Sequence, residues 1–353
     1  MSLAISVAAL IGALVAFLVV VMLIPLCIPL ARRTGLVDRP YDRKRHDGEI
    51  PLVGGIAIFI GYSVALLAMG QVELWRGPVF WVWAALMALG LWDDIGHLKV
   101  SVRVLFQILA IVLLCSFTGM RLDHLGYLSG DAPVTLGHFA LPVTILGLIG
   151  IKNGINLIDG LDGLAGTQVL VVLFWFCVLS YQNDIALMVA LCTPLAGAVL
   201  GFLVYNLRLP GRPARIFLGD HGSVFLGFTL GWFAIVGSQL SIPAFTPIEA
   251  VWVLGLPILD TIRVMLSRML RGSSPFTPGR DHFHHYLVDR GFSVNQTVLI
   301  LAALSMLFGA VVWLARIAGL SEMLLLCAFL AVSIVFFMGA QSLDRKLHGV
   351  ERG

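Results

Sequence analysis

Three short segments of the chain carry acidic and amide side chains at spacings that could hold a divalent cation. Asp93 and Asp94 are adjacent at the end of an apolar run, and Asp220 lies near the start of another. Between them, the segment 153–162 has Asn or Asp at every third position. Carboxylate and amide oxygens select Mg²⁺ or Mn²⁺. Adjacent carboxylates beside hydrocarbon are costly unless a cation or a function requires them. We therefore expect a Mg²⁺ site, with Mn²⁺ as an alternative metal.

The repeat in segment 153–162 also predicts a local structure. Residues three apart share one face of a helix, so we expect a polar stripe that points into a helical bundle. Gly160 and Gly163 indicate a break near its end, where backbone groups could meet a ligand. The stripe consists of Asn153, Asn156, Asp159 and Asp162.

A histidine-rich loop, SPFTPGRDHFHH at 274–285, predicts phosphate binding. It contains Arg280, His282, His284 and His285. A zinc site would need a Cys or a well-spaced carboxylate to complete it, and the arginine disfavours a bound cation. Arginine and histidine together fit a phosphate better.

A basic loop at 36–55 contains Lys44, Arg45 and His46 and ends at Gly54 and Gly55. Paired glycines at a helix start leave backbone N–H groups that can approach an anion. Alternatively, the basic side chains only bind anionic lipid at a membrane surface. This loop alone does not decide between the two interpretations.

The elements that position these residues are membrane spans. Of the 353 residues, 59% are hydrophobic and 12% charged, with a net charge of +3. Soluble proteins carry about 25% charged residues, so we exclude a soluble, disordered or nucleic-acid-binding protein. Apolar runs of about 20 residues predict an all-α integral membrane protein with about eleven spans. They are 8–30, 51–70, 78–92, 102–119, 141–158, 163–181, 185–206, 222–238, 247–268, 297–316 and 321–340.

The distribution of Lys and Arg predicts the orientation. If the N-terminus is periplasmic and the C-terminus cytoplasmic, only Arg76, Arg121 and Arg316 of the 23 Lys and Arg residues lie outside. This orientation places every acidic and histidine cluster on the cytoplasmic face. We expect one domain, 1–353, whose catalytic loops are cytoplasmic. These loops are 31–50, 93–101, 152–165, 207–221 and 269–296.

Together these residues predict a metal-dependent phosphotransferase that acts on a lipid phosphate. Phosphoryl transfer needs mainly positioning and charge neutralisation. A multi-spanning transporter is the rival from another class, but its charges would lie near the bilayer midplane in repeat-related positions. Here they collect at one face, and the chain shows no internal repeat.

Five motifs, in order, resemble those of the polyprenyl-phosphate N-acetylhexosamine-1-phosphate transferases. The resemblance is strongest to the bacterial undecaprenyl-phosphate N-acetylglucosaminyl-1-phosphate transferases and covers nearly the whole chain. The motifs are LVDRPYDRKRHDGEIPLVGG at 36–55, the pair Asp93-Asp94, NGINLIDGLDGL at 153–164, FLGDHGS at 217–223 and SPFTPGRDHFHH at 274–285.

The resemblance implies a reaction at the bacterial inner membrane. Undecaprenyl phosphate attacks the phosphorus next to the sugar of a UDP-N-acetylhexosamine, most simply UDP-GlcNAc. The products are undecaprenyl-diphospho-sugar and UMP, the first membrane intermediate of an envelope glycan such as O antigen. The runner-up is the related phospho-N-acetylmuramoyl-pentapeptide transferase. The resemblance leaves open which N-acetylhexosamine is used and whether the chain forms a homodimer.

The resemblance also implies residue roles. Asp220 and Asn156 match metal-binding positions, and Asp93 and Asp94 match a pair near the acceptor phosphate, one of which takes its proton. Arg103 matches a phosphate-binding base and Asp162 a nucleotide contact, and the loop with Arg280, His282, His284 and His285 matches one that covers the sugar diphosphate. Asp159 joins the candidate catalytic acids. The remaining expected substrate-binding residues are Lys44, Arg45, His46 and Asn153.

Two positions depart from the family pattern. His97 stands where many relatives have a third Asp after the acidic pair, so the predicted metal site does not require a third carboxylate. His221 stands where small residues are usual, and the sequence offers no account of it.

Overall fold

The fold of this computed structural model is a bundle of long helices, described for residues 3–39, 48–96, 98–128, 130–208, 212–274 and 279–349. A two-residue antiparallel pairing joins β1 (Val37–Asp38) to β2 (Ile50–Pro51). One 3₁₀ turn spans Gly137–Phe139. The helices are α1 Leu3–Thr34, α2 Gly54–Ala68, α3 Val72–Arg76, α4 Pro78–Gly96, α5 Val100–Thr118, α6 Ala140–Ile158, α7 Leu164–Gln182, α8 Ala186–Asn206, α9 Gly219–Gln239, α10 Pro247–Val253, α11 Gly255–Leu270, α12 Phe283–Asp289, α13 Val294–Ile317 and α14 Glu322–Gly349.

The predicted all-α membrane architecture is confirmed. Within the described ranges, nine helices are long and apolar enough to span a bilayer, or ten if α10 and α11 form one broken span. The shorter apolar α2 corresponds to the predicted run 51–70. The α10–α11 pair bends by 78°. Pro257 causes this break, because its ring would clash with the carbonyl of Val253 four residues earlier in a continuous helix. The predicted orientation stays a prediction.

Helix α9 forms the centre of the bundle. Its residues 221–238 are all buried, and α2, α4, α6 and α7 pack around it. Because this helix is apolar on every side, it fits the interior of the bundle rather than a lipid-facing position. The start of α9 therefore provides a fixed point on which the ends of α2, α4 and α6 converge.

The end of the bundle away from the acidic segments is tied by a buried ion pair. Glu249, 4% exposed, accepts hydrogen bonds from Arg316 Nε at 2.5 Å and Nη2 at 2.6 Å. Arg316 also donates to the backbone carbonyls of Leu179 and Ala244. A small antiparallel hairpin lies at this end, where His124 pairs with Thr135.

Local structure differs from the sequence-based interpretation at two places. Of the two interpretations left open for the loop 36–55, the structure does not support anion binding by the N–H groups of Gly54 and Gly55, because they donate to the carbonyls of Phe217 and Leu218 at 3.0 Å. A Cβ on Gly55 would lie 2.3 Å from the Cα of Gly222, so close packing of α2 on α9 requires glycine there. The polar stripe also does not continue along one helix, because α6 ends at Ile158. Asp159 and Asp162 lie in the following turn.

Candidate active site

A cavity of about 1090 Å³ opens at the end of the bundle that holds the acidic segments. This volume slightly exceeds the range of about 300–1,000 Å³ common for small-molecule pockets. Its wall contains five aspartates of the predicted site, Asp93, Asp94, Asp159, Asp162 and Asp220, and also Arg280 and His285. The cavity thus brings together residues that lie almost 200 positions apart in the chain.

The two adjacent aspartates at the end of α4 are both held by protein donors. Asp93 accepts a hydrogen bond from the backbone N–H of Leu98 at 2.8 Å and forms a salt bridge with Arg103. Asp94 accepts from the backbone N–H groups of Asp220 and His221 at 3.0 and 3.3 Å. Its Oδ2 also lies 2.5 Å from the His221 Nδ1. Both carboxylates are therefore already hydrogen-bonded within the protein.

Asp159 and Asp220 are held differently. Asp220 receives one side-chain hydrogen bond, from Asn156 Nδ2 to Oδ1 at 2.9 Å, and the same amide donates to Ser223 Oγ at 2.8 Å. Asp159 accepts no hydrogen bond from any described residue. Burial, together with the nearby Asp220, Asp94 and Asp162, raises the pKa of Asp159 to about 7.

This pair of carboxylates fits a divalent cation completed by substrate. In the described part of the chain, no three His, Cys, Asp or Glu side chains are grouped to hold a metal by themselves. Mg²⁺, however, is usually held by one or two carboxylates together with substrate phosphates. Burial and the neighbouring carboxylates both raise the pKa of Asp159, and a bound cation would favour its ionised form. With its amide nitrogen engaged, Asn156 has its oxygen left for a metal.

The turn after α6 is fixed by Asn206 at the end of α8. Asn206 Oδ1 accepts from the backbone N–H of Gly163, and its Nδ2 donates to the carbonyl of Ile216, both at 2.9 Å. Gly163 has a positive φ of 80°, which glycine adopts without strain. Asp162, in the same turn, accepts from Arg208 Nε at 3.0 Å and from the N–H of Ala214 at 3.3 Å. The turn that presents Asp159 is therefore anchored where it leads into α7, at Asp162 and Gly163.

Three arginines line the cavity, and each faces a carboxylate. We call these the three arginine pairs. They are Arg39–Glu49 at 3.1 Å, Arg208–Asp162 at 3.0 Å and Arg280–Asp289 at 3.4 Å. Arginine binds phosphate with several donors in one plane, and partly exposed ion pairs are weak. The cavity thus offers guanidinium groups that an incoming diphosphate can take over from their carboxylates.

The histidine loop is anchored on α11 by a buried network. Asp260, 3% exposed, accepts from His282 Nδ1 at 2.8 Å, from the backbone N–H of Phe283 at 3.0 Å and from Arg263 at 2.9 Å. Arg263 is 2% exposed and also donates to the carbonyl of Asp281. Asp260 thereby supplies the cap that α12 lacks from its own N-cap residue.

His284 and His285 are neutral at pH 7. Burial, with a smaller contribution from His285, lowers the pKa of His284 to about 3. Burial, with a smaller contribution from Arg280, lowers the pKa of His285 to about 4. These rings could therefore donate an N–H to phosphate but would not supply positive charge. His284 packs against the turn after α6, because a Cβ on Gly160 would lie 2.6 Å from its Nε2.

The remaining predicted site residues lie behind the cavity wall or outside the described residues. Arg103 contacts the wall residue Asp93, and Asn156 contacts the wall residue Asp220. The side chains of His282 and His284 are buried beneath the histidine loop. Asn153 lies on α6 without reaching the cavity wall. Lys44, Arg45 and His46 lie outside the described residues, so their predicted roles stay predictions. His97, for which the sequence predicts no role, also lies outside them.

Sequence reasoning missed several residues that build the site. Arg39, Arg208 and Asn206 line the cavity but were not among the candidates. Asp260 and Arg263 were missed because they lie within an apolar run and read as an ordinary helix pair three residues apart. Their charge inside a predicted span was the available signal, since ionisable side chains there are rarely without function.

The bundle and its cavity define a multi-pass membrane protein with a site of acidic, arginine and histidine side chains at one end. Residues 78–238 match the family model described as glycosyl transferase family 4. The chain is 33% identical over 312 residues to the undecaprenyl-phosphate alpha-N-acetylglucosaminyl 1-phosphate transferase of Yersinia pestis, which covers 87% of this chain and 84% of that protein. It therefore belongs to glycosyl transferase family 4, as the motifs predicted.

Two further relatives have similar coverage. A protein of Bacillus subtilis named as a probable undecaprenyl-phosphate N-acetylglucosaminyl 1-phosphate transferase is 33% identical over 310 residues, 88% of this chain and 84% of that one. The Escherichia coli K12 undecaprenyl-phosphate alpha-N-acetylglucosaminyl 1-phosphate transferase is 30% identical over 326 residues, 90% of this chain and 86% of that one.

Proposed function

We propose that this protein transfers GlcNAc-1-phosphate from UDP-GlcNAc to undecaprenyl phosphate at the inner membrane of a bacterium. The observation that carries the proposal is the cavity, where aspartates and arginines meet at one end of a membrane bundle. Relatives that cover most of the chain have this transfer in their names. A water-soluble nucleotide sugar and a lipid phosphate can meet only where a polar cavity opens at the membrane surface.

The transfer exchanges one phosphoanhydride for another. An oxygen of the lipid phosphate forms a bond to the β-phosphorus of UDP-GlcNAc, and the bond from that phosphorus to the bridging oxygen breaks. UMP leaves with that oxygen and its electron pair. A phosphate monoester has a second pKa of about 6, so the acceptor is already mostly ionised at pH 7. The protein therefore needs to align the two phosphates and balance their charge rather than to remove a proton.

Each part of the cavity has a task in this transfer. The arginines would bind the diphosphate, and Asp162 with Arg208 would orient the nucleotide. Asp220 and Asp159, supported by Asn156, would hold Mg²⁺ or Mn²⁺, which would neutralise the phosphates when bound. Arg103 fixes Asp93 at the side of the cavity formed by the end of α4.

The direct test is transfer by the purified protein. With UDP-GlcNAc, Mg²⁺ and undecaprenyl phosphate, we expect stoichiometric UMP and undecaprenyl-diphospho-GlcNAc. Asp220→Ala should lower the rate at least a thousandfold. Glu322→Gln, a carboxylate change at the opposite end of the bundle, should keep the rate within twofold. The proposal fails if the folded wild-type protein releases no UMP from any UDP-N-acetylhexosamine.

The donor and the membrane face need separate measurements. Testing UDP-GalNAc, UDP-QuiNAc and UDP-MurNAc-pentapeptide beside UDP-GlcNAc identifies the sugar. A preference for UDP-MurNAc-pentapeptide would favour the peptidoglycan alternative.

The orientation can be tested by cysteine labelling. Ser273→Cys, in a variant without the five native cysteines, should react only with thiol reagents applied from the cytoplasmic side. Labelling from the periplasm would overturn the proposed face. Loss of O antigen in a deletion strain would identify that pathway as the one that uses the product.

A further inference from the structure

The feature that carries a further inference is the contact between Asp94 and His221. Asp94 lies at the end of α4, and His221 is the third residue of α9, 127 positions later. The imidazole Nδ1 lies 2.5 Å from Asp94 Oδ2. The side chain of Asp94 is 6% exposed and that of His221 is fully buried. The contact thus joins two spans directly beneath the cavity.

Asp94 also caps α9 from outside that helix. The first N–H groups of a helix have no partner within it, and the N-cap residue of α9, Leu218, has no side chain that could accept them. Asp94 accepts the N–H of Asp220 on Oδ1 and that of His221 on Oδ2. With the imidazole on Oδ2 as well, both oxygens of Asp94 are hydrogen-bonded. A carboxylate held in this way is poorly placed to bind a metal or to receive a proton.

The packing around His221 shows that the bundle is shaped to hold the imidazole. A Cβ on Gly55 would lie 2.6 Å from its Cδ2, and one on Gly219 would lie 2.5 Å from its Cε1. A Cβ on Gly90 would lie 2.3 Å from the His221 Cα. Gly55 on α2 and Gly219 on α9 therefore lie against the ring, and Gly90 on α4 lies against the backbone of His221. Among the described residues, the buried Nε2 has no hydrogen-bond partner, so the polar contact of the ring is made by Nδ1.

We propose that His221 and Asp94 are positioning residues that fix the start of α9 and with it the carboxylate of Asp220. The imidazole donates its Nδ1–H to Asp94, and Asp94 in turn holds the N–H of Asp220. This inference rests on the proposed transferase function for its kinetic readout. It assigns Asp94 to the support of the site instead of to proton transfer, and it gives His221 a role.

The test replaces His221 by amide side chains whose N–H donor lies near the former position of one or the other ring nitrogen. Asn at position 221 puts its NH₂ group near the place of Nδ1, whereas Gln puts it near the place of Nε2. Leu fills a similar volume without a donor. We expect H221L and H221Q to lower kcat for UMP release at least tenfold with KM for UDP-GlcNAc within about threefold. H221N should recover kcat to within about threefold of the wild type.

Two readouts do not require turnover. Binding of Mn²⁺ in the presence of UDP, followed by electron paramagnetic resonance, should weaken about tenfold in H221L and H221Q and recover in H221N. Hydrogen exchange of the peptide covering 217–225 should be faster in the same two variants. If H221L is not recovered folded, the H221N and H221Q comparison carries the test.

Defined outcomes would overturn the inference. Wild-type kcat and Mn²⁺ affinity in H221L and H221Q would show that the contact does not position Asp220. Equal losses in H221N and H221Q would show that the imidazole contributes packing alone. A wild-type protein without transferase activity would remove the proposed function, while Mn²⁺ binding and hydrogen exchange would still test the positioning role.

Discussion

Replacing Asp260 by Asn should separate the anchoring of the histidine loop from general stability. The carboxylate compensates the buried charge of Arg263 and holds both His282 and the first N–H of α12. An asparagine oxygen can keep the bonds from Arg263 and Phe283. Its NH₂ group can donate to His282 if that imidazole moves its proton to Nε2. The main loss is therefore the negative charge beside a guanidinium that is 2% exposed.

The size of this loss follows from the burial of the pair. Removing one partner of a buried ion pair costs about 3–5 kcal/mol, because the other charge is left uncompensated. Such a loss should lower the midpoint of thermal unfolding by several degrees. It should also displace the loop that ends in His284 and His285, so transfer per folded molecule should fall at least tenfold.

Glu249→Gln is the matched control. Glu249 is a buried carboxylate paired with Arg316, as Asp260 is with Arg263, but it lies at the other end of the bundle. We expect a similar loss of thermal stability with unchanged transfer per folded molecule. The assay is UMP release normalised to the monodisperse fraction from size exclusion, with thermal unfolding followed in parallel. Wild-type specific activity in Asp260→Asn, or an equal loss in Glu249→Gln, would refute the reasoning.

Two further predictions concern the turn after α6. Gly160→Ala would place a Cβ 2.6 Å from His284 Nε2, so kcat/KM should fall at least tenfold. Gly150→Ala on α6, whose Cβ would meet nothing within 4 Å, should be neutral in activity; equal effects of the two would contradict the contact. Because the pKa of Asp159 is raised to about 7 without metal, it is protonated below that pH, and cation binding must displace the proton. Apparent Mg²⁺ affinity, measured by calorimetry, should therefore be about tenfold weaker at pH 6 than at pH 8, and Asp159→Asn should be weaker at both with no such pH dependence.

The positions of the spans could be predicted because apolar length is a local property of the sequence. The run 247–268 was located correctly, but its bend of 78° was not. This span contains Gly255 and Pro257, but glycine and proline also occur in many unbroken spans, since neighbouring helices can satisfy the freed backbone groups. Whether proline breaks a particular helix therefore also depends on the helices packed against it, which the local sequence does not identify.

The chemistry of the site could be predicted only as far as residue type and chain order allow. Asp93, Asp94, Asp159 and Asp220 do line one cavity. The contrast between Asp94, whose two oxygens are hydrogen-bonded, and Asp159 could not be predicted, because the donors to Asp94 lie more than 120 positions away. Adjacent aspartates look equivalent in a sequence, and only the helix end that one of them caps tells them apart.

The three arginine pairs have a consequence for how substrates arrive. A site lined by free guanidinium groups would attract anions from solution and would speed association at low ionic strength. On the described part of the cavity wall each arginine, as in Arg208 beside Asp162 at 3.0 Å, is offset by a carboxylate before a substrate binds. Long-range attraction by these three arginines therefore contributes little to the rate of encounter, and their screening by salt should slow encounter only weakly. Selection happens at contact instead, where an anion must offer enough oxygen acceptors to replace the carboxylates that it displaces.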